Sequence, residues 1–116
     1  MKYAFISDVH ANEIALKNVL DDAIEQGVER IVCLGDVVGY GPAPAETISL
    51  LKVAATVVLA GNHDDAVSGR YDAASFIELA KHSVLRHRQT LGKQDLAWLK
   101  TRPYTCEGEG FVATHG

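Results

Sequence analysis

The chain of 116 residues is 47% hydrophobic and 22% charged, and its formal net charge is −4. This length suits one domain, and the composition excludes an intrinsically disordered chain. The acidic balance disfavours nucleic acid and anionic lipid as partners, because proteins that coat either one usually carry a basic excess.

Neither a membrane segment nor a secretory leader is predicted. No apolar run approaches the roughly 20 residues that span a bilayer, and the short apolar stretch near the N-terminus is followed at once by an acid. The two cysteines, Cys33 and Cys106, show no clustered spacing that would suggest a disulfide framework or a zinc knuckle. We therefore expect one cytoplasmic domain over residues 1–116.

Short apolar runs alternate with helical patterns along the chain, which predicts an α/β fold. The first helix is expected between Asn12, a residue type that caps helices, and Gly27, whose left-handed conformation would end it. In chain order, the predicted strands are residues 3–6, 31–34, 57–60, 104–107 and 111–114. The later helices are predicted over residues 46–52, 75–91 and 94–99, and a turn at residues 108–110 joins the last two strands.

Residue types that bind metals follow four of these strands. Ligands bind at the carboxyl ends of the strands in an open α/β sheet, so four strands lying side by side and parallel would bring these residues to one edge. Carboxylate, amide and imidazole donors suit Mn, Fe or Zn better than they suit a soft metal. The residues are Asp8 and His10, then Asp36, then Asn62, His63 and Asp64, and finally His115.

The acids at these strand ends favour a bound cation. Asp8, Asp36 and Asp64 would crowd negative charge at one edge, and carboxylates at close range do not all ionise without cost. Two divalent cations would remove that repulsion. Taken singly, each residue is more typical of a helix cap, a turn or a packed histidine than of a metal ligand. Four such occurrences at four strand ends favour the metal site.

Glycines flank the same positions, at Gly35, Gly39, Gly41 and Gly61, where the backbone would have to turn sharply and approach an ion or a phosphate closely. None of them belongs to a Walker loop, and no glycine-rich fingerprint of a dinucleotide fold opens a helix. The glycines therefore agree with a metal site and not with a nucleotide-binding loop of either kind.

Three ordered motifs and a final histidine resemble those of the calcineurin-like metallophosphoesterase superfamily. The residues that carry the resemblance are Asp8-Val9-His10, Gly35-Asp36-Val37-Val38-Gly39, Gly61-Asn62-His63-Asp64 and His115. Their surroundings are similar to those of a bacterial branch of predicted phosphodiesterases. The resemblance implies a β-sheet sandwich flanked by helices, and it extends over almost the whole chain.

The resemblance also implies a role for each site residue. Asp8 and His10 would hold a first metal, Asn62 and His115 a second, and Asp36 would bridge the two. His63 would face the substrate together with Asn62, and Asp64 would orient the His63 imidazole. The implied cofactors are two divalent ions, Mn²⁺ first, with Fe, Zn and Ni also suited. The implied reaction is attack of a metal-bound hydroxide on a small phosphoester, phosphodiesters being favoured by analogy.

One departure from the family pattern affects what we expect of this chain. The family continues with a second histidine pair, Gly-His-x-His, whereas this sequence ends at Gly116. We therefore expect the N-terminal part of a longer enzyme, cut before the C-terminal strands of the sandwich. Apolar sheet surface left uncovered in this way predicts self-association into a homo-oligomer.

Other functions and several individual residues stay open. The alternative to an enzyme is a non-catalytic interaction scaffold on the same fold, as in the retromer subunit that resembles these enzymes. Nuclease activity also stays open, since related enzymes cut DNA. His87 is predicted to be packed and His82 to face solvent, whereas Tyr40 fits either a substrate pocket or a packing role.

Overall fold

The computed structural model describes residues 1–116, and its first three strands form a parallel sheet in the order β1–β2–β3. These strands are β1 (Tyr3–Ile6), β2 (Arg30–Cys33) and β3 (Val57–Val58). Phe5 lies opposite Val32, which in turn lies opposite Val57. Because parallel strands point the same way, their carboxyl ends meet at one edge of the sheet. The predicted α/β fold with a parallel sheet and flanking helices is confirmed.

The chain also forms five α-helices and one short 3₁₀ turn. They are α1 (Glu13–Glu25), α2 (Pro44–Ala54), α3 (Asn62–Ser68), the 3₁₀ turn Ala73–Ser75, α4 (Glu78–Thr90) and α5 (Lys93–Lys100). The side chain of Asn12 accepts a 3.0 Å hydrogen bond from the N–H of Ala15, as expected of an N-cap. Gly27 follows α1 with a φ of +73°, so the predicted start and stop of this helix are confirmed.

The hydrophobic core lies between one face of the sheet and the helices. Strand residues alternate between the two faces, and Cys33 and Val58 point to this side. Leu51, Leu59 and Leu99 are fully buried, and complete burial of an apolar side chain gives its largest hydrophobic contribution to stability. The core cluster has 13 buried members: Leu16, Leu20, Cys33, Val37, Val38, Ile48, Leu51, Val58, Ala66, Val67, Val84, Leu91 and Leu99.

The last two strands form a separate antiparallel hairpin, β4 (Thr105–Gly108) and β5 (Phe111–Thr114). The prediction of a fourth parallel strand beside the first three is therefore wrong, because β5 pairs only with β4 and these two strands form a sheet of their own. The hairpin packs on the second face of the sheet. The ring of Phe111 contacts the rings of Tyr3 and Phe5 edge-on, at centroid distances of 5.0 and 5.1 Å.

Three further differences separate the predicted elements from the observed ones. Residues 62–68 form a helix where the sequence suggested only a ligand-bearing loop. The helix predicted over residues 75–91 begins at Glu78, because the backbone of Phe76 and Ile77 is extended. Leu79, an apolar residue in the first turn of that helix, is 67% exposed, where an apolar residue of an amphipathic helix is expected to face the core. None of the helices is both long and apolar enough to cross a membrane.

Candidate metal centre

Hydrogen bonds between backbone groups join the loop that follows β1 to the loop that follows β2. The N–H of Asp8 donates to the carbonyl of Gly35 at 3.0 Å, and the N–H of His10 donates to the carbonyl of Asp36 at 2.9 Å. The chain has five residues other than glycine with positive φ, and all five lie in these two loops: Asp8, His10, Ala11, Asp36 and Tyr40. Such conformations cost free energy and persist where surrounding contacts fix them, a pattern typical of functional sites.

Close packing of the loops after β2 and β3 depends on glycine. A side chain on Gly61 would run into the carboxylate and the backbone N–H of Asp36. The absence of a side chain at Gly61 therefore lets the beginning of α3 approach the Asp36 loop. Because the two segments lie this close, the backbone N–H of His63 donates to Oδ1 of Asp36 at 3.0 Å.

Asp8, His10 and Asp36 form a compact group in which one ligand atom from each lies within 4.8 Å of the others. Nε2 of His10 is 3.5 Å from Oδ1 of Asp8 and 3.6 Å from Oδ2 of Asp36. Nδ1 of His10 lies 3.0 Å from the carbonyl of Val38 and can only donate there. In a neutral imidazole this bond leaves the lone pair of Nε2 facing the two carboxylates, the arrangement by which protein histidines bind metals.

His115 repeats this arrangement from the far end of the chain. Its Nδ1 lies 3.0 Å from the carbonyl of Leu34, which fixes that nitrogen as the donor. Its Nε2 lies 3.4 Å from Oδ2 of Asp36. Although β5 belongs to the hairpin and not to the parallel sheet, His115 therefore reaches the predicted edge. A lone pair on each of two histidines faces the same carboxylate oxygen.

The side-chain amide of Asn62 lies beside Asp36. One end of this amide is 3.2 and 3.3 Å from the two carboxylate oxygens of Asp36, and in the absence of a cation its nitrogen donates to them. With a cation between the two groups, the amide would turn its oxygen to the metal. The imidazoles of His10 and His115 and the amide of Asn62 around one carboxylate are a set of groups that suits a divalent cation.

The carboxylates of this group carry negative charge that no Lys or Arg side chain balances. Asp36 is 3% exposed, and its only ion-pair partners are His10 and His115. The pKa of Asp8 is lowered, mainly because the hydroxyl of Ser7 donates to its carboxylate at 2.6 Å. Burial acts in the opposite direction, and the two nearby histidines lower this pKa further. No Lys or Arg pairs with either carboxylate, so a bound cation would supply the missing charge.

His63 lies in the first turn of α3 and is enclosed by aromatic rings. Its ring centroid is 4.9 Å from that of His10, 5.0 Å from that of Tyr40 and 5.0 Å from that of Phe76. The residue is 7% exposed, and its Nδ1 is buried without a hydrogen-bond partner. Burial lowers the pKa of His63, which favours the neutral imidazole with a single N–H to donate.

Asp64, which the resemblance implies would orient His63, makes its hydrogen bonds to the backbone of two other residues. Its Oδ1 accepts from the N–H of Val38 at 3.1 Å and its Oδ2 from the N–H of Gly61 at 3.0 Å. Complete burial raises the pKa of Asp64 to about 7, and the two backbone N–H groups act against that rise. The carboxylate joins the loops after β2 and β3, so Asp64 supports the site through the backbone.

Sequence reasoning missed the aromatic enclosure of the site. Phe76 belongs to no motif and lies inside the helix predicted over residues 75–91, so nothing in the sequence marks it as a residue of the site. Tyr40 did carry a signal, because it stands between Gly39 and Gly41, four residues after the predicted ligand Asp36. His87 was predicted to be packed, and it is 2% exposed. The contacts that it makes could not be predicted from its position on a helix.

The fold and this group of side chains define an α/β protein with a candidate centre for divalent cations at the carboxyl edge of its sheet. Over residues 1–116 the sequence matches the calcineurin-like phosphoesterase family, and the chain belongs to that family. It is 35% identical over 104 residues to the uncharacterized protein MJ0912 of Methanocaldococcus jannaschii, covering 90% of this chain and 43% of that protein.

Two further relatives bear names that describe an activity or a class of enzyme. Phosphodiesterase YfcE of Escherichia coli strain K12 is 36% identical over 77 residues, covering 58% of this chain and 42% of YfcE. The crystal structure of a metallophosphoesterase from Sphaerobacter thermophilus superposes with a TM-score of 0.76 at 38% identity, covering 93% of this chain and 44% of that one. The chain thus spans less than half the length of each of these proteins.

Proposed function

We propose that this chain carries the centre of a metal-dependent phosphoester hydrolase that acts on phosphodiesters. The observation that carries the proposal is the common orientation of His10 and His115. Each donates through Nδ1 to a backbone carbonyl and turns Nε2 toward Oδ2 of Asp36. Membership of the calcineurin-like phosphoesterase family supports hydrolysis, and the name of its relative YfcE supports a phosphodiester substrate.

The residues present would hold two divalent cations, Mn²⁺ being our first choice. Asp8 and His10 would hold one, Asn62 and His115 the other, and the Asp36 carboxylate would be shared. When bound, such cations activate water and neutralise charge on a phosphoryl group. The carbonyls of Val38 and Leu34 keep both imidazoles in the tautomer that binds metal.

His63 would act on the substrate and not on the metals. As a neutral imidazole in a dry, aromatic surrounding it has one N–H to donate, either to a phosphoryl oxygen or to the oxygen of the leaving group. A hydrogen bond donated in a site of low dielectric is stronger than the same bond in water. The backbone N–H of His63 donates to Oδ1 of Asp36, and this bond fixes the backbone of His63 relative to the proposed shared ligand.

The first experiment measures hydrolysis of bis(p-nitrophenyl) phosphate by chelator-free protein with added Mn²⁺. The wild type is expected to turn over, EDTA to stop it, and His63→Ala to lose activity while keeping its metal. The control is Asn18→Ala, because Asn18 is an exposed residue on α1 outside the site, and this variant is expected to keep full activity. A metal-loaded wild type that hydrolyses neither this diester nor p-nitrophenyl phosphate would contradict the proposal. Metal binding without turnover would instead favour the non-catalytic scaffold.

A further inference from the structure

His87 makes two hydrogen bonds to a loop that precedes it by more than 40 residues. The N–H of Gly39 donates to its Nδ1 at 3.0 Å, and its Nε2 lies 2.7 Å from the carbonyl of Gly41. Because one partner is a donor and the other an acceptor, the imidazole must be neutral, with its proton on Nε2. No other side chain hydrogen-bonds to the backbone of residues 39–41.

The loop held in this way forms a wall of the candidate metal centre. Tyr40, at its middle, has a φ of +61°, a conformation that a bulky side chain rarely adopts without external support. Its ring centroid lies 5.1 Å from that of His10 and 5.0 Å from that of His63. A side chain at Gly39 would run into the His63 imidazole, so the loop backbone also lies against that residue.

The other side of Tyr40 is open. It is 39% exposed and borders a cavity of about 560 Å³ on the surface of α4, which His82, Arg86 and Gln89 also line. No acidic residue lines this cavity, although the chain as a whole is acidic, and Arg86 makes no ion pair in the structure. Tyr40 thus stands between the metal-ligand group and a space that is free of negative charge.

We propose that His87 is a positioning residue that fixes Tyr40 as a substrate-contacting wall beside His63. The inference rests on the proposed hydrolase function for the role of Tyr40, but the link between His87 and Tyr40 is independent of it. Removing the imidazole would leave the buried N–H of Gly39 and the partly buried carbonyl of Gly41 without their partner, so the strained loop would relax and carry the tyrosine ring away from His63.

The substitutions separate this role from simple packing. His87→Phe keeps a ring of similar volume and removes both hydrogen bonds, whereas His87→Gln retains an acceptor and a donor. Val84→Ala is the matched control, because Val84 is 1% exposed and lies one turn earlier on α4, and it makes no contribution to the loop hydrogen bonds.

The first readout requires no catalysis. NMR cross-peaks between the ring protons of Tyr40 and His63 are expected in the wild type, in His87→Gln and in Val84→Ala, and are expected to disappear in His87→Phe. Cross-peaks that persist in folded His87→Phe would overturn the inference. If His87→Phe does not fold, His87→Ala replaces it. Cross-peaks between Tyr40 and His63 that persist in His87→Ala would likewise overturn the inference.

The second readout tests whether His87 acts through Tyr40. We expect His87→Phe to raise KM for bis(p-nitrophenyl) phosphate by about tenfold with unchanged metal content, since a misplaced contact weakens substrate positioning. Tyr40→Ala is expected to do the same, and the double variant to be no worse than either single one. Fully additive effects would overturn the inference. A wild type without any hydrolysis would contradict the proposed function alone, because the NMR comparison would still decide whether His87 positions Tyr40.

Discussion

The Nε2 atom of His115 lies 3.4 Å from Oδ2 of Asp36, although the two residues follow strands of different sheets. His10 approaches the same oxygen from the loop after β1, at 3.6 Å. Two imidazole nitrogens around one buried carboxylate oxygen are groups that a shared divalent cation would bind. Experiments with added and removed metal test this directly.

Addition of Mn²⁺ is expected to raise the Tm of chelator-free protein. An ion that binds only the folded state stabilises it by about 3 kcal/mol at about 100 Kd. Thermal unfolding would be followed by circular dichroism with Mn²⁺, with EDTA, and with Mn²⁺ in an Asp36→Asn variant. The variant is expected to show no rise. Superimposable curves for the wild type with Mn²⁺ and with EDTA would exclude a metal site of useful affinity.

The Gly61→Ala substitution is expected to damage the site, whereas Gly92→Ala is not. Both glycines precede a helix with extended backbone, Gly61 before α3 and Gly92 before α5, and both have negative φ. A Cβ at Gly61 would meet Asp36, and a Cβ at Gly92 would meet nothing within 4 Å. Both variants lose a glycine cap, so the expected difference between them, about 1–3 kcal/mol in the free energy of unfolding, reports the steric clash.

Urea unfolding of the two variants provides the measurement, together with metal content. Gly61→Ala is also expected to bind Mn²⁺ more weakly, because the displaced carboxylate is the proposed bridging ligand. Equal stability and equal metal binding in the two variants would mean that the loops after β2 and β3 can separate without consequence.

The stabilising contribution of His87 is expected to depend on pH. Burial lowers the pKa of His87, the neighbouring Arg86, His10 and His63 lower it further, and the bond to the Gly41 carbonyl opposes them. The unfolded chain takes up a proton near the ordinary value of 6.5 while the native chain does not, so the unfolded state binds more protons. The contribution is therefore complete above pH 6.5 and is lost as the pH falls toward the native pKa.

Urea unfolding of metal-free wild type and His87→Phe at pH 7.5 and at about pH 5 tests this sign. The stability difference between the two proteins is expected to be larger at the higher pH. Subtraction of the two series cancels the titration of histidines that both proteins share. A difference that grows as the pH falls would show that His87 is protonated in the native state.

The sheet face that carries Tyr3 and Phe5 is expected to promote self-association. Phe111 covers part of it, but Phe5 remains 47% exposed and Val112 of the hairpin 70% exposed. Exposed apolar surface next to a short sheet is a common site of contact between chains. Sedimentation velocity at micromolar concentration would show dimers or larger species that Phe5→Lys reduces, whereas Val112→Lys, on the opposite face of the hairpin, is expected to have a smaller effect. A wild type that sediments as a clean monomer would contradict this prediction.

The sequence was sufficient to predict the three parallel strands, the first helix and the meeting of Asp8, His10 and Asp36, because these depend on local patterns and on the direction of parallel strands. It misplaced the strand before His115, since a short glycine turn makes a hairpin and nothing local indicates on which face the hairpin packs. The hydrogen bonds of Asp64 to Val38 and Gly61 could not be predicted either, because residue spacing does not indicate contacts with the backbone of a distant loop.

The most direct test is a measurement of the metal content of protein that has never been exposed to a chelator. Elemental analysis together with anomalous diffraction should locate a divalent ion coordinated by Asp8, His10 and Asp36, and a second one against His115 and Asn62. Asp36→Asn should lose both ions while keeping the fold. Protein that contains no transition metal after exposure to Mn²⁺, with no ion between Asp36 and the imidazoles of His10 and His115, would contradict the account at its centre.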